Sequence, residues 1–284
     1  MLIGQFWGTS AAEGLPAPFC KCEVCEEARR HPEYQRLRTC FRLTDQVMID
    51  LGADAVVQSI KYGEISAVEH VLVTHTHDDH LNPHMMMEAF WSQKHRNTLH
   101  YYFTDRAFDI VEAWRNNSWI LKGMVPSWEA QGLVQFHKLE YGVRYEINGL
   151  GVTPFRGNHT GNVKENSALY LIELPDGRTL FYGLDTAAYF PETLQALKNY
   201  HIDILISEST RGTLPMADDR ALMSIYSVRA LVDQLMDQGT IDENTLLYLT
   251  HINHSTSHRT LLKAIEELAF PLPTTLCHDG LRIF

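Results

Sequence analysis

Short runs of apolar and β-branched residues recur from one end of the chain to the other, each closed by turn residues or a polar cluster. Leu2–Trp7, Gln46–Ile49, His70–Thr74, Leu99–Phe103, Ala168–Leu174, Thr179–Tyr182, Asp203–Ser207 and Leu246–Thr250 have the length and composition of β-strands. Between them the apolar positions move to helical spacing, over Ala53–Tyr62, His84–His95, Pro191–Tyr200, Met216–Gln238 and Ser257–Ala269. Pro83 suits the first turn of the second of these helices. Phe41–Leu43 with Gln46–Ile49, and Leu171–Leu174 with Thr179–Phe181, read as hairpins, while other strands are separated by helices. The pattern predicts a mixed α/β architecture. No linker, composition break or internal repeat divides the 284 residues, so residues 1–284 read as a single domain.

The polar punctuation carries the chemistry. Thr74-His75-Thr76-His77-Asp78-Asp79-His80 follows directly on the apolar run that begins at Val71. One histidine there would read as a polar surface turn. Three histidines and two aspartates leaving a buried strand read as a metal site, because imidazole and carboxylate suit zinc, manganese or iron. A second cluster, Cys20, Cys22 and Cys25, has C-x-C-x2-C spacing. Three thiols so close can hold one zinc if a fourth ligand arrives from elsewhere, the alternative being three free or buried cysteines. Five cysteines in all do not make a disulfide framework, and Cys40 and Cys277 read as ordinary buried strand cysteines.

The H-x-H-x-D-H motif resembles the signature of the metallo-β-lactamase superfamily. The chain also has what resemble that family's other landmarks, in order. Asp50 closes Val47–Ile49, His159 lies in Gly157–Thr160, Asp185 follows Leu180–Leu184 and His251 follows Leu247–Thr250. The resemblance implies a four-layer αβ/βα sandwich with its site at one edge, where strand-end loops meet. It gives His75, His77 and His159 to one metal ion, Asp79, His80 and His251 to a second, and makes Asp185 the bridge. Asp79 and Asp50 are its catalytic candidates. Asp79 would orient the attacking hydroxide and Asp50 would hold the ligand loop from behind. The implied reaction is hydrolysis by a hydroxide bridging two divalent ions, zinc or manganese with iron as a further option.

The resemblance narrows further. Gly8-Thr9-Ser10-Ala11-Ala12, then C-x-C-x2-C, then Ala28-Arg29-Arg30, is similar to the PhnP-type cyclic phosphodiesterases. In that branch the last histidine of T-H-I-x-H completes a structural zinc site, which here implies Cys20, Cys22, Cys25 and His254. The same branch has a histidine in the preceding helix that serves as proton donor or phosphate contact. Here Leu222 stands near that position, and Gly212–Gln238 contains no histidine. His84, Arg211, Tyr226, His258 and Glu208 lie near motif segments, with none singled out as the donor. Met85–Met87, Phe90, Trp91, Trp114, Trp119 and Trp128 read as core, with a pocket wall or dimer interface as the alternative for Trp119 and Trp128.

Charge bears on the partner. Lys and Arg number 24 against 35 Asp and Glu, a formal charge of −11. That balance opposes binding by phosphate neutralisation, so the tRNA-maturation enzymes that share H-x-H-x-D-H are the least favoured comparison and nucleic acid is not expected. It does not oppose an anionic small molecule, because divalent ions reverse the local field. No apolar run reaches membrane length, and the opening segment has no basic region before its apolar stretch; a cytoplasmic protein without a membrane partner is expected. A small-molecule phosphodiester is the first substrate expectation, a lactone or other ester the second. A homodimer is implied by resemblance only. The rival from another class is a non-catalytic accessory protein of the PqqB type. Such proteins resemble this chain in the cysteine cluster but tend to depart from the catalytic ligand set.

Overall fold

The computed structural model describes residues 1–83, 85, 97–117, 124–160, 164–215 and 222–284. Two sheets dominate. The first has six strands in chain order, β1 (Leu2–Gly8), β2 (Cys40–Thr44), β3 (Val47–Ile49), β4 (His70–Leu72), β5 (Leu99–Thr104) and β6 (Val134–Leu139). The second has seven, also in sequential order, from β7 (Tyr145–Ile147) through β8 (Leu150–Thr160), β9 (Asn166–Glu173), β10 (Thr179–Gly183), β11 (Ile204–Glu208) and β12 (Leu246–Thr250) to β13 (Thr274–Leu276). Each sheet begins antiparallel and ends parallel. In the first the change falls at β3–β4, and in the second at β10–β11. Parallel neighbours need crossovers, and helices supply several of them. These include α2 (Ala55–Tyr62), α3 (Asp105–Asn117) and α4 (Met124–Ala130) on the first sheet, and α5 (Pro191–Leu197), α6 (Ile225–Asp237) and α7 (His258–Leu268) on the second. A further helix, α1 (Glu23–Arg30), begins within the cysteine cluster, with Cys22 at its N-cap and Cys25 in its first turn.

Strand alternation sorts the side chains into layers. Leu180 and Tyr182 face the other sheet, packing with Phe41, Leu72 and Ile206, while Phe181 between them faces outward with Leu205, Val228 and Leu261. On the first sheet Met48 and Tyr101 face outward onto Ala55 and Val111. The result is helix, sheet, sheet, helix: the expected four-layer sandwich. A fully buried Tyr170 on β9 ties the layers together, its hydroxyl donating to the Val73 carbonyl at 2.6 Å. Ala168 N–H donates to Thr74 O at 2.8 Å, so β9 clamps the segment that leads into the histidine cluster. Tyr170→Phe keeps the ring and orphans that carbonyl. It should cost about 1–3 kcal/mol in denaturant unfolding, and an unchanged midpoint would mean the clamp contributes nothing.

Some sequence expectations need correcting. The helix expected over Met216–Gln238 starts only at Ile225 among the described residues, because Ser224 caps it by accepting from the Ser227 N–H. Leu222 therefore precedes the helix. Cys277 is buried but lies one residue beyond β13. Cys40 is buried within β2. The eleven-residue β8 was hidden by Gly151, Pro154 and Gly157, which read as breakers. Its partner β7 stops pairing at Val152, so Pro154 forfeits no ladder bond on that side. A Cβ on Gly157 would lie 2.2 Å from Ser167 Oγ, so the close approach to β9 requires glycine. Trp128 and Met85 are buried in the outer core of the first sheet, and Trp114 packs against it. Apart from Met85, the expected helix His84–His95 lies outside the described residues, Met86, Met87, Phe90 and Trp91 included, and so does Trp119. Among the described residues no helix is long and apolar enough to cross a membrane.

Candidate metal centre

The ligand candidates all leave the same edge of the sandwich. The first sheet delivers Asp50 just after β3 and the cluster His75–His80 just after β4. The second delivers His159 near the end of β8, Asp185 after β10 and His251 after β12. Asp50, Asp185 and His251 have φ of 62°, 45° and 57°. Non-glycine residues rarely take this left-handed conformation, at a cost on the order of 1–3 kcal/mol each, and it is found where surrounding structure over-determines it. Here it turns three strand-end side chains into one space. Gly52 is needed for a related reason, since a Cβ there would lie 2.0 Å from the Asp79 carbonyl oxygen. The start of α2 thus packs flat against the ligand loop.

The structure brings all seven predicted residues together. His77 Nδ1 lies 2.9 Å from His75 Nε2 and 3.4 Å from His159 Nε2. On the other side, Asp185 Oδ2 lies 2.8 Å from His80 Nε2 and 2.9 Å from His251 Nε2, and Asp79 Oδ2 is 3.1 Å from His80 Nε2. Asp185 Oδ1 faces the first group, 3.9 Å from His159 Nε2. One carboxylate thus presents one oxygen to each histidine set. His75, His77 and His159 satisfy the distance condition for a shared ion, as do Asp79, His80 and His251.

Burial and unmet valence show that these residues fit metal. His80 Nε2, His251 Nε2 and Asp185 Oδ2 are buried without a well-directed hydrogen bond. Leaving three polar atoms so costs a protein dearly, whereas a cation between them uses all three. The Nδ1 atoms of both histidines are engaged, that of His251 with the Thr210 hydroxyl at 2.7 Å. Asp50 Oδ2 pairs with His80 Nδ1 at 2.6 Å, and Asp50 also accepts from the Thr74 N–H and hydroxyl. With its proton on Nδ1 toward Asp50, His80 would leave Nε2 to face the centre. Charge is tightly coupled in this space. Burial and the neighbouring His80 charge hold His75 neutral, well below its ordinary range. Burial opposes ionisation of Asp185, yet His251 and His80 hold its carboxyl well below the usual range. Burial is likewise outweighed at His80, which the carboxylates of Asp79, Asp185 and Asp50 push well above the ordinary imidazole value.

Two carboxylates deepen the site. Glu165 is fully buried, and its Oε1 accepts from the Thr76 N–H at 2.5 Å and from the Thr76 hydroxyl at 2.9 Å, fixing the residue between His75 and His77. No periodicity or motif marks it along the chain. Glu208, named from sequence as one of several possible proton donors, is instead enclosed. Its Oε1 accepts from the Thr186 N–H at 2.8 Å, and its Oε2 accepts from the Thr210 hydroxyl. Burial and the charge of Asp185 push its pKa up to about 7. Of the other donor candidates, Tyr226 is half exposed on α6, Arg211 donates to the Pro215 carbonyl, and His258 sits between Arg36 and the ring of Tyr34. His84 lies outside the described residues.

The cysteine cluster also assembles. Cys20 Sγ and Cys22 Sγ lie 3.3 and 3.5 Å from His254 Nδ1, and Cys25 completes the group. Burial raises the Cys22 thiol, but the Cys25 N–H, His254 and Cys20 outweigh it and bring its pKa down to about 6. Burial pushes the Cys25 thiol up to about 12. The two segments are also joined by backbone, with Ile252 N–H donating to Thr9 O at 2.8 Å and Ala11 N–H to Ile252 O at 3.1 Å.

Comparison with known proteins agrees with this architecture. A solved diphosphatase of the PhnP family has a TM-score of 0.72 at 19% identity, the alignment covering 100% of this chain and 98% of that one. Zinc-bound PqqB from Methylobacterium extorquens has a TM-score of 0.73 at 15% identity, with 100% of both chains covered. One curated relative, the large ribosomal subunit protein uL4 of Chlorobaculum parvum, is 30% identical over 123 residues. That match takes in 42% of this chain and 58% of uL4, so the chain spans little more than half the length of that relative. The family model for the beta-lactamase superfamily domain matches residues 46–255, a span that runs from the strand before Asp50 to just past His254. The chain belongs to the beta-lactamase superfamily.

Proposed function

We propose that this protein is a binuclear metal-dependent hydrolase that cleaves a phosphodiester. The observation that carries the reading is Asp185, whose two oxygens face two separate histidine sets. His75, His77 and His159 would hold one divalent ion, and Asp79, His80 and His251 the other. Two such ions would supply an activated water and positive charge for the developing oxyanion. Zinc, manganese and iron all suit these ligands. The chain's own residues do the rest. Asp50 fixes the proton of His80 on Nδ1, Asp79 is placed to orient the attacking water, and the closed sandwich edge keeps both ligand sets rigid. The phosphodiester assignment draws support from the combination of this centre with a Cys3His cluster, and from the fold it shares with the PhnP-family diphosphatase. The missing helix histidine argues for a leaving-group proton donor other than the one expected in that branch.

The test is elemental analysis of metals per chain together with turnover of bis-p-nitrophenyl phosphate and of a lactone panel. Three metals per chain, diester turnover, and loss of turnover in His77→Ala support the reading. Lactone turnover alone would move the substrate to a carboxylic ester. Full metal loading with no turnover of any ester would replace the hydrolase with the accessory class, to which the likeness to zinc-bound PqqB points.

A further inference from the structure

The two sheets support the second metal set in different ways. On the first sheet Asp50 touches His80 directly. On the second, among the described residues no carboxylate touches His251 Nδ1. That atom lies 2.7 Å from Thr210 Oγ1, whose hydroxyl donates to Glu208 Oε2. A threonine hydroxyl has one proton to give. Given to Glu208, it leaves Thr210 Oγ1 only as an acceptor toward His251, so His251 must hold its proton on Nδ1. Its Nε2 lone pair then faces Asp185 Oδ2 at 2.9 Å, an arrangement that calls for a cation. Glu208 Oε1 meanwhile accepts from the N–H of Thr186, the residue after Asp185. All three groups are buried.

We propose that Glu208 is a positioning residue for the second metal. Through the Thr210 hydroxyl it sets the tautomer of His251, and through the Thr186 N–H it fixes the turn that presents Asp185. The inference rests on the binuclear reading above. One carboxylate, placed just below the site on the central parallel strand of its sheet, coordinates the aim of two ligands from neighbouring strands.

Glu208→Gln tests this sharply, because it preserves the number of hydrogen bonds and reverses one. The Thr186 N–H requires an acceptor, so the new amide oxygen stays there and the amide NH2 faces Thr210. Thr210 must then accept from the amide and donate to His251 Nδ1. The His251 proton moves to Nε2 and points at the metal. Metal-free Glu208→Gln should melt within about 3 °C of wild type. Calorimetric titration with Zn²⁺ should show the step that His251→Ala abolishes weakened roughly 10–100-fold, with the other step unchanged. Thr210→Ser, which keeps the hydroxyl, should stay within about 3-fold of wild type, while Thr210→Val should resemble Glu208→Gln. Equal binding of both ions by wild type and Glu208→Gln would overturn the inference and leave the hydrolase reading intact. A lower melting point of the metal-free variant, with both steps weakened together, would make Glu208 a structural residue only. A wild type that takes up fewer than two ions at the His/Asp set would sink the underlying reading itself.

Discussion

Asp185→Asn should abolish the reaction while leaving the fold in place, with diester turnover falling by at least about 10³-fold, or roughly 4 kcal/mol of transition-state stabilisation. Asparagine is nearly isosteric with aspartate and tolerates the left-handed backbone that Asp185 occupies at φ 45°. The substitution therefore removes charge without forcing the strand end to move. What is lost is a carboxylate whose two oxygens face both histidine sets, 2.8 Å from His80 Nε2 on one side and 3.9 Å from His159 Nε2 on the other. Metal content should drop from two ions to at most one at the His/Asp set, since the remaining ligands must hold like charges apart without a shared anion. Asp185→Ala should be worse, because alanine pays for the positive φ as well. Elemental analysis and steady-state kinetics on the same preparations decide the matter. An asparagine variant that keeps both ions and wild-type turnover would show that Asp185 bridges nothing.

The sequence exposed this centre unevenly, for physical reasons. His75, His77, Asp79 and His80 are adjacent in the chain because one tight loop supplies four side chains, so their spacing is visible without any structure. His159, Asp185 and His251 come from separate strands and are individually ordinary. Only the resemblance to a known ligand order singled them out. The β8 strand that carries His159 was missed because it contains Gly151, Pro154 and Gly157, of which Gly157 is demanded by its close approach to β9, and a local reading mistakes such residues for turns. Glu165 and Glu208 were harder still. Each acts on a ligand from behind through a threonine, and the contact joins segments 89, 22 or 41 residues apart. The layered fold, by contrast, was legible, because alternation within strands and helical spacing between them are local properties that the sandwich merely adds together.

The halves of the sandwich divide the labour. The first sheet supplies a loop backed by Asp50, and the second supplies three isolated candidates, of which Asp185 and His251 have Glu208 behind them. On the proposed assignment neither sheet would hold a complete set for either ion: His159 would complete the first and His251 the second. Metal affinity would thereby be linked to closure of the sandwich, and the Tyr170 bond to Val73 joins the two sheets there.

The same coupling extends to the cysteine cluster, where removing a ligand should destabilise the whole chain. Cys22→Ser should lose one metal of three per chain and lower the melting temperature by about 5 °C, the shift that a loss of roughly 3 kcal/mol produces in a domain of this size. Structural zinc in isolated finger peptides is worth far more, about 10–16 kcal/mol, but there it folds the entire unit. Here backbone bonds between Thr9, Ala11 and Ile252 hold the same two segments together without the ion, so only part of that energy appears. The effect must also reach the reaction centre, since His254 lies three residues beyond His251 on the loop that follows β12. A loosened His254 should weaken binding at the His251 site by about 10-fold while sparing the ion held by His75, His77 and His159. His254→Ala should reproduce both effects, and Cys40→Ser, a change at a buried cysteine within β2, should leave all three metals bound. Calorimetry with metal analysis before and after a chelator wash reads each of these. Retention of three metals by both Cys22→Ser and His254→Ala would show that the cluster holds no ion and that the backbone bonds alone secure the loop.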